Sequence, residues 1–309
     1  MIIQETFKNI PLGRFQKTKL MNRQFSHRMI HIDRLFYLLF TFMSHCMISS
    51  FIVRLKPIGR VKVRSASSLA APSFEVDFSP FANKFPALDL AQKSQLSELC
   101  NLVVDWNEKV NLISRKDIGN IVSNHFLPSL SVSLLKDFTS CTSIIDVGTG
   151  GGFPGLPLAI ACPDSHFTLL DSTANKMKAV SAMVHSLGLK NVRVITSRAE
   201  AFTDEQFGAV LGRAVSAVPN FLSYSSHLVA ARRGAYTSKE ENVGGVFYIK
   251  GGDFRQELSD AHIKQYQLHA INQLVPTLDT DKFVLHIPTE EVQSFHRRLA
   301  KRSSSTARQ

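Results

Sequence analysis

The stretch Ser143-Ile144-Ile145-Asp146-Val147-Gly148-Thr149-Gly150-Gly151-Gly152-Phe153-Pro154-Gly155 decides how the rest of the chain is read. Residues 143–147 form a short apolar run, as a buried strand does. An acid and a cluster of glycines follow, and then the apolar run Leu156-Pro157-Leu158-Ala159-Ile160, which reads as a helix. A chain that leaves a strand, turns sharply and lets a ligand touch its backbone needs dihedrals and approach distances that a Cβ forbids. The pattern therefore predicts strand, glycine turn and helix around a nucleotide-like ligand. Gly150-x-Gly152-x-x-Gly155 satisfies the dinucleotide fingerprint, and Asp171 stands about 20 residues beyond it, at the ribose-binding position.

Asp146 shifts the ligand expectation. It ends the first strand two residues before Gly148, giving Asp-x-Gly-x-Gly-x-Gly. A carboxylate beside the loop suits a cationic ligand such as S-adenosylmethionine better than a pyrophosphate, which calls for donors. The alternative role for Asp146 is to hydrogen-bond the glycine turn and nothing more.

The chain has 309 residues and a formal charge of +11, which resembles a nucleic-acid binder's. The charge is uneven. Residues 1–73 hold 12 Lys/Arg against Glu5 and Asp33, leaving 24 basic and 23 acidic residues in 74–309. Attraction to phosphate must then come from local patches in the folded part, not from a global field. The 4 cysteines have no Cys-x-x-Cys spacing, so neither a disulfide framework nor a metal site is expected.

Residues 1–73 read as a targeting leader, rich in Arg, Lys and Ser and poor in acid. The acid-free run from Met47 is long enough to be a transit peptide by itself, which makes Met47 an alternative start. The serine content favours the chloroplast, with the mitochondrion as the alternative. Residues 35–53 are apolar and long enough to cross a bilayer. The basic, acid-free segment behind them fits import better, and no stable membrane association is expected.

Residues 74–140 read as a linker followed by helices. Positions 89–110 carry Leu96, Leu99, Cys100, Val103 and Trp106 at helical spacing with Asp89 as N-cap. Residues 118–135 form a second helical stretch that Pro128 kinks or restarts. From 141 to 290 strands alternate with helices: 143–147, 166–170, 192–196, 209–211 and 245–249 are strands. The segments 266–274 and 283–287 complete the sheet as two adjacent strands. This is α/β, a doubly wound, mostly parallel sheet with an N-terminal helical extension. Residues 291–309 are a short basic tail, read as a solvated end.

Ligands of such sheets sit at the carboxyl ends of the strands. Asp146, Asp171, Glu200 and Arg213 follow the first four strands and converge on one edge. Asp171 would accept ribose hydroxyls, Ala199 and Glu200 lie where an adenine would rest, and Phe153 would cover the ligand from the loop side. There is no Asn-Pro-Pro-Tyr or Asp-Pro-Pro-Tyr grip for an exocyclic amine and no Pro-Cys nucleophile for a pyrimidine. A methyl acceptor with a free lone pair needs neither, and guanine N7 is such an atom.

At this point the sequence resembles a known family. Trp106-Asn107-Glu108-Lys109-Val110-Asn111-Leu112, His125-Phe126-Leu127, the glycine loop, Leu169-Leu170-Asp171-Ser172, Ser197-Arg198-Ala199-Glu200, Arg213-Ala214-Val215 and Lys250-Gly251 are similar, in order, to the small-subunit ribosomal RNA methyltransferase G family, also called glucose-inhibited division protein B. The resemblance spans about residues 85–288. It implies a Rossmann-like class I methyltransferase that uses S-adenosylmethionine to methylate guanine N7 of small-subunit rRNA, with the rRNA or the assembled 30S-type particle as partner. It also implies cofactor contacts at Gly148, Phe153, Ala199, Glu200 and Arg213, to which the general methyltransferase pattern adds Asp171, and the loop itself Asp146 and Gly150. No catalytic base is implied. Asn111, His125, Arg198 and the basic tail are candidates to orient the base. The chain departs from the family pattern at Pro128 and Gly208, where Asp is common, at Lys282, where Arg is usual, and in the longer polar segment 231–243. A nicotinamide-dependent oxidoreductase, or a catalytically weak RNA-binding assembly factor on the same fold, are the competing readings.

Overall fold

The structure is a computed structural model that describes residues 88–230 and 244–306. The leader, the apolar stretch 35–53, the linker up to residue 87 and the polar segment 231–243 lie outside the described residues.

The first described helix, α1 (Leu90–Asn107), starts where the sequence places it. The Asp89 carboxylate accepts the Gln92 amide at 2.7 Å while the Gln92 side chain accepts the Asp89 amide at 2.8 Å, so two otherwise orphaned donors are satisfied together. Leu96, Leu99, Cys100 and Val103 are fully buried on one face. Burying a leucine contributes about 1.5–3 kcal/mol, and this stripe fixes α1 against the helices Gly155–Ala161 and Ala174–Ser186. The helix ends at Asn107, whose Oδ1 accepts the amides of Leu112 and Ile113 at 2.8 and 2.9 Å and folds the chain back.

The sheet has seven strands in the order β3-β2-β1-β4-β5-β7-β6. β1 (Ser143–Val147), β2 (His166–Asp171), β3 (Val192–Thr196), β4 (Ala209–Arg213) and β5 (Gly245–Lys250) are parallel. β7 (Phe283–Pro288) inserts antiparallel between β5 and β6 (Gln267–Ala270). Neighbouring residues of β1 serve opposite faces, as a period of two requires. Ile144 joins the core shared with α1, α2 (Gly155–Ala161) and α3 (Ala174–Ser186). Ile145 joins the core on the other face, with Phe221 of α4 (Val218–Ser225) and Leu258 of α5 (Arg255–Asp260). The strand order reverses at β1 and β4, and a crevice opens there beyond the carboxyl ends. The sheet is doubly wound and mostly parallel, as the sequence predicts.

Three segments differ from the sequence expectation. Residues 115–134 are not one helix: 3-10 turns flank a π turn, Val122–Phe126, and a single α turn, Leu127–Leu130. Pro128 has no amide to give the Asn124 carbonyl, so the regular ladder cannot run through. Residues 266–274 pair only over Gln267–Ala270, after which Ile271 turns inward, fully buried, to start a helical turn. The basic end is a helix, α6 (Thr289–Thr306). Val292 is fully buried, and Phe295 is partly buried against the same core, three residues on. The Arg298 guanidinium also donates to the Ala261 and His262 carbonyls, at 3.4 and 3.2 Å. An apolar stripe was concealed by the arginines beside it.

Candidate cofactor site

The glycine loop prolongs the β1–β2 ladder, since the Gly148 and Thr149 amides both donate to the Leu170 carbonyl, at 2.8 and 3.1 Å. Gly148 has φ +72°, and a Cβ there would meet Val215 Cγ2 at 3.1 Å, so the position is closed to other residues on two counts. Beneath the loop Asp146 is fully buried. Its Oδ2 accepts Thr149 Oγ1 at 2.6 Å and the Gly155 amide at 2.9 Å, and its Oδ1 has no partner. Burial pushes its pKa up to about 6, against the pull of those two bonds and of Arg213.

A cavity of about 390 Å3 lies over the ends of β1, β2 and β4 and the loop after β3. Small-molecule sites begin at about 300 Å3. Asp171 is in its wall. One oxygen accepts the Gly150 amide at 3.0 Å and the other the Thr173 amide at 2.8 Å, which ties two loops together. A carboxylate has about four acceptor positions, so two remain for a ligand. Ala199, nearly buried, and Glu200, exposed, complete that side as the 3-10 turn after β3.

Opposite stands Arg213, whose guanidinium is held entirely by neutral acceptors. It donates to the Asn124 carbonyl at 3.0 Å, to the His125 carbonyl at 3.4 Å and to His125 Nδ1 at 2.8 Å. The Asn124 carbonyl is the acceptor that Pro128 leaves without a helical donor. Arginine can only donate, so Nδ1 is the acceptor and the imidazole proton is on Nε2, 3.4 Å from Asp117 Oδ2. Burial first, then the Arg213 charge, lower the His125 pKa to about 4, and burial lowers that of Arg213 to about 10.

The turn that follows, Ala214-Val215-Ser216, starts in the left-handed region, with φ +50° at Ala214. Tyr248 secures it from beneath. Its hydroxyl accepts the Val215 and Ser216 amides at 3.0 and 2.9 Å and donates to the Ser216 carbonyl at 2.7 Å. Sequence reasoning passed over Tyr248 as one more aromatic in an apolar strand. The signal was a hydroxyl in the run Val246-Phe247-Tyr248-Ile249, because a buried tyrosine needs a partner.

Five of the eight residues expected at the cofactor line this cavity: Gly148, Asp171, Ala199, Glu200 and Arg213. The other three do not. Asp146 is the strut of the turn, its second reading. Gly150 contributes an amide that Asp171 has taken. Phe153 is not in the cavity wall; its ring packs against those of His125 and Phe126 at 5.3 Å each and lies 5.8 Å from the Arg213 guanidinium, which it supports. Arg198 is exposed in the cavity wall; Asn111 is exposed elsewhere.

The loop amides also discriminate between ligands. Those of Gly148, Thr149, Gly150, Gly152, Phe153 and Gly155 are all bonded within the protein. A pyrophosphate needs such amides free at the helix start, whereas a purine ribonucleoside with a cationic sulfonium is matched by two wall carboxylates. Residues 92–284 match the family described as GidB, rRNA small subunit methyltransferase G. The chain belongs to this family. Ribosomal RNA small subunit methyltransferase G of Flavobacterium psychrophilum is 38% identical over 205 residues, which cover 66% of this chain and 94% of that protein. Its counterpart from Flavobacterium johnsoniae is 41% identical over 176 residues, 57% and 81% of the two chains. Solved structures are more distant: an MtNAS mutant in complex with S-adenosylmethionine has a TM-score of 0.39 and 15% identity over 64% of this chain and 76% of that one. Methyltransferase G proteins are S-adenosylmethionine-dependent methyltransferases of small-subunit rRNA. The wall chemistry of this member fits that cofactor. Among the described residues no helix is long and apolar enough to cross a membrane.

Proposed function

We propose that the protein methylates guanine N7 of small-subunit rRNA, in an organelle that it enters by means of its basic, acid-poor first 73 residues. The observation that carries the reading is the cavity at the switch point with Asp171 and Glu200 in its wall, under a loop six of whose amides are already bonded. When bound, S-adenosylmethionine supplies an electrophilic methyl group. Asp171 accepts its ribose hydroxyls, and Ala199 and Glu200 receive its adenine. Guanine N7 carries a lone pair and no proton, so no residue need act as a base. Rate enhancement then comes from alignment and exclusion of water. The serine-rich leader favours the plastid over the mitochondrion.

The test is methylation of small ribosomal subunits with labelled S-adenosylmethionine, followed by location of the modified base. Label at guanine N7 is expected; label on another atom, or binding of NAD in place of S-adenosylmethionine at equilibrium, sinks the reading. Import of a leader fusion into isolated chloroplasts and mitochondria tests the compartment.

A further inference from the structure

Beyond the Ala214-Val215-Ser216 turn lies a second cavity of about 390 Å3. It shares Arg213 and that turn with the cofactor cavity and is closed by Ile249, Lys250, Gly251 and Lys282. The two walls differ in charge. The cofactor side sets Asp171 and Glu200 against Arg198 and Arg213, whereas the second cavity has no acid in its lining and three cations.

Those cations are not equivalent. Lys250 is committed to the fold: its ammonium is 3.1 Å from Glu257 Oε1 and 3.4 Å from the Ser216 carbonyl. Glu257 in turn accepts the Val218 amide at 2.7 Å, at the start of α4. Arg213 has no carboxylate among its acceptors, which are two carbonyls and a neutral imidazole, and Asp146 and Asp117 act on it only at a distance. Lys282 is half-buried and makes no ion pair among the described residues. The nearest carboxylates, Asp117 and Asp281, act on it only at a distance, while the Arg213 charge opposes its own. Gly251 leaves its stem room, for a Cβ there would touch Lys282 Cγ at 3.4 Å. Two cations that share one wall, neither of them bonded to a carboxylate, repel each other, and an anion placed between them relieves that repulsion. The strained Ala214 lies in the turn that divides the two cavities, and Val215 on it is 38% exposed.

We propose that this second cavity receives one nucleotide of the RNA strand, with Lys282 holding its phosphate and Val215 supporting its base where it meets the methyl donor. The inference rests on the methyltransferase reading and adds the subsite. A base enters such a cavity only when unstacked, so the target is a single-stranded or extruded nucleotide. A lysine grips phosphate as a point charge without reading sequence, so Lys282 contributes affinity and placement, not base choice.

The experiment uses the full chain, the wild type beside Lys282→Gln and Lys282→Arg. It measures binding of a single-stranded small-subunit rRNA fragment across a salt series, and of S-adenosylmethionine alone. For Lys282→Gln the slope of log affinity against log salt is expected to fall in magnitude by about 0.7, the loss of one single-strand phosphate contact, with RNA affinity down about tenfold at low salt. Lys282→Arg is expected to keep the slope, and cofactor affinity to stay level in both. A wild-type slope in Lys282→Gln, or cofactor binding lost in parallel with RNA binding, overturns the inference. Wild-type protein that methylates rRNA while Lys282→Gln keeps its slope refutes the subsite alone. Wild-type protein that methylates no rRNA refutes the function, and the subsite with it.

Discussion

Gly148 and Asp171 stand at the ends of adjacent strands and fail in different ways when replaced. At Gly148 a side chain meets both a left-handed φ and the Val215 methyls. Asp171 carries the loop tie to Gly150 and the open acceptor positions in the cavity wall. Gly148→Val is expected to abolish S-adenosylmethionine binding by steric closure, and Asp171→Ala to weaken it at least tenfold, about 1.4 kcal/mol, through loss of a charge-assisted acceptor. Calorimetric titration checks both, and unchanged affinity in the pair would move the site elsewhere. At this scale the sequence was informative about residues anchored by strand ends, because a strand's length fixes where it stops. It said nothing of the packing of Phe153, whose loop position suggested a cover for the ligand. A phenylalanine beside the helical turns of 115–134 has packing partners there, and the ring lies against His125 and Phe126.

Among elements, the turn between β4 and α4 does the most with the least sequence signal. It separates two cavities, departs from favoured backbone geometry at Ala214, and is held by a tyrosine hydroxyl from the neighbouring strand. Tyr248→Phe leaves two amides and a carbonyl without that partner, at about 1–3 kcal/mol. The expected result is a modest loss of melting temperature together with a several-fold loss of affinity for both cofactor and RNA. If thermal stability drops while both affinities hold, the turn is positioned by something else. The strand and helix alternation was legible because each strand from β1 to β5 is a short apolar run closed by a turn residue. The insertion over residues 115–134 was not, since π and 3-10 turns share the apolar spacing of a helix and differ only in which carbonyl meets which donor. The basic α6 was missed for a related reason: charge density hid the Val292–Phe295 stripe.

Across the whole molecule, two buried groups oppose each other in acid. His125 has its folded pKa lowered to about 4, so its contribution to stability is present above 6.5 and is lost as pH falls through 4. Asp146 is raised to about 6 from 3.8, so its contribution is present below 3.8 and is lost as pH rises through 6. Between pH 6 and 4 the two offset each other. His125→Gln, whose amide oxygen can still accept from Arg213, removes one of the pair. Its stability relative to wild type is expected to improve on acidification from pH 6.5 to 4, by up to about 3 kcal/mol. Denaturant midpoints across that range decide it, and parallel profiles for the two proteins would show that the imidazole does not titrate with folding. The strand order carries a further consequence for biosynthesis. Among the described residues β7 is made after both strands it joins, filling the gap between β5 and β6, so this sheet stays incomplete until residue 288 has left the ribosome. Lys282 sits immediately before that strand, so the wall of the second cavity that it forms is completed only when β7 joins the sheet.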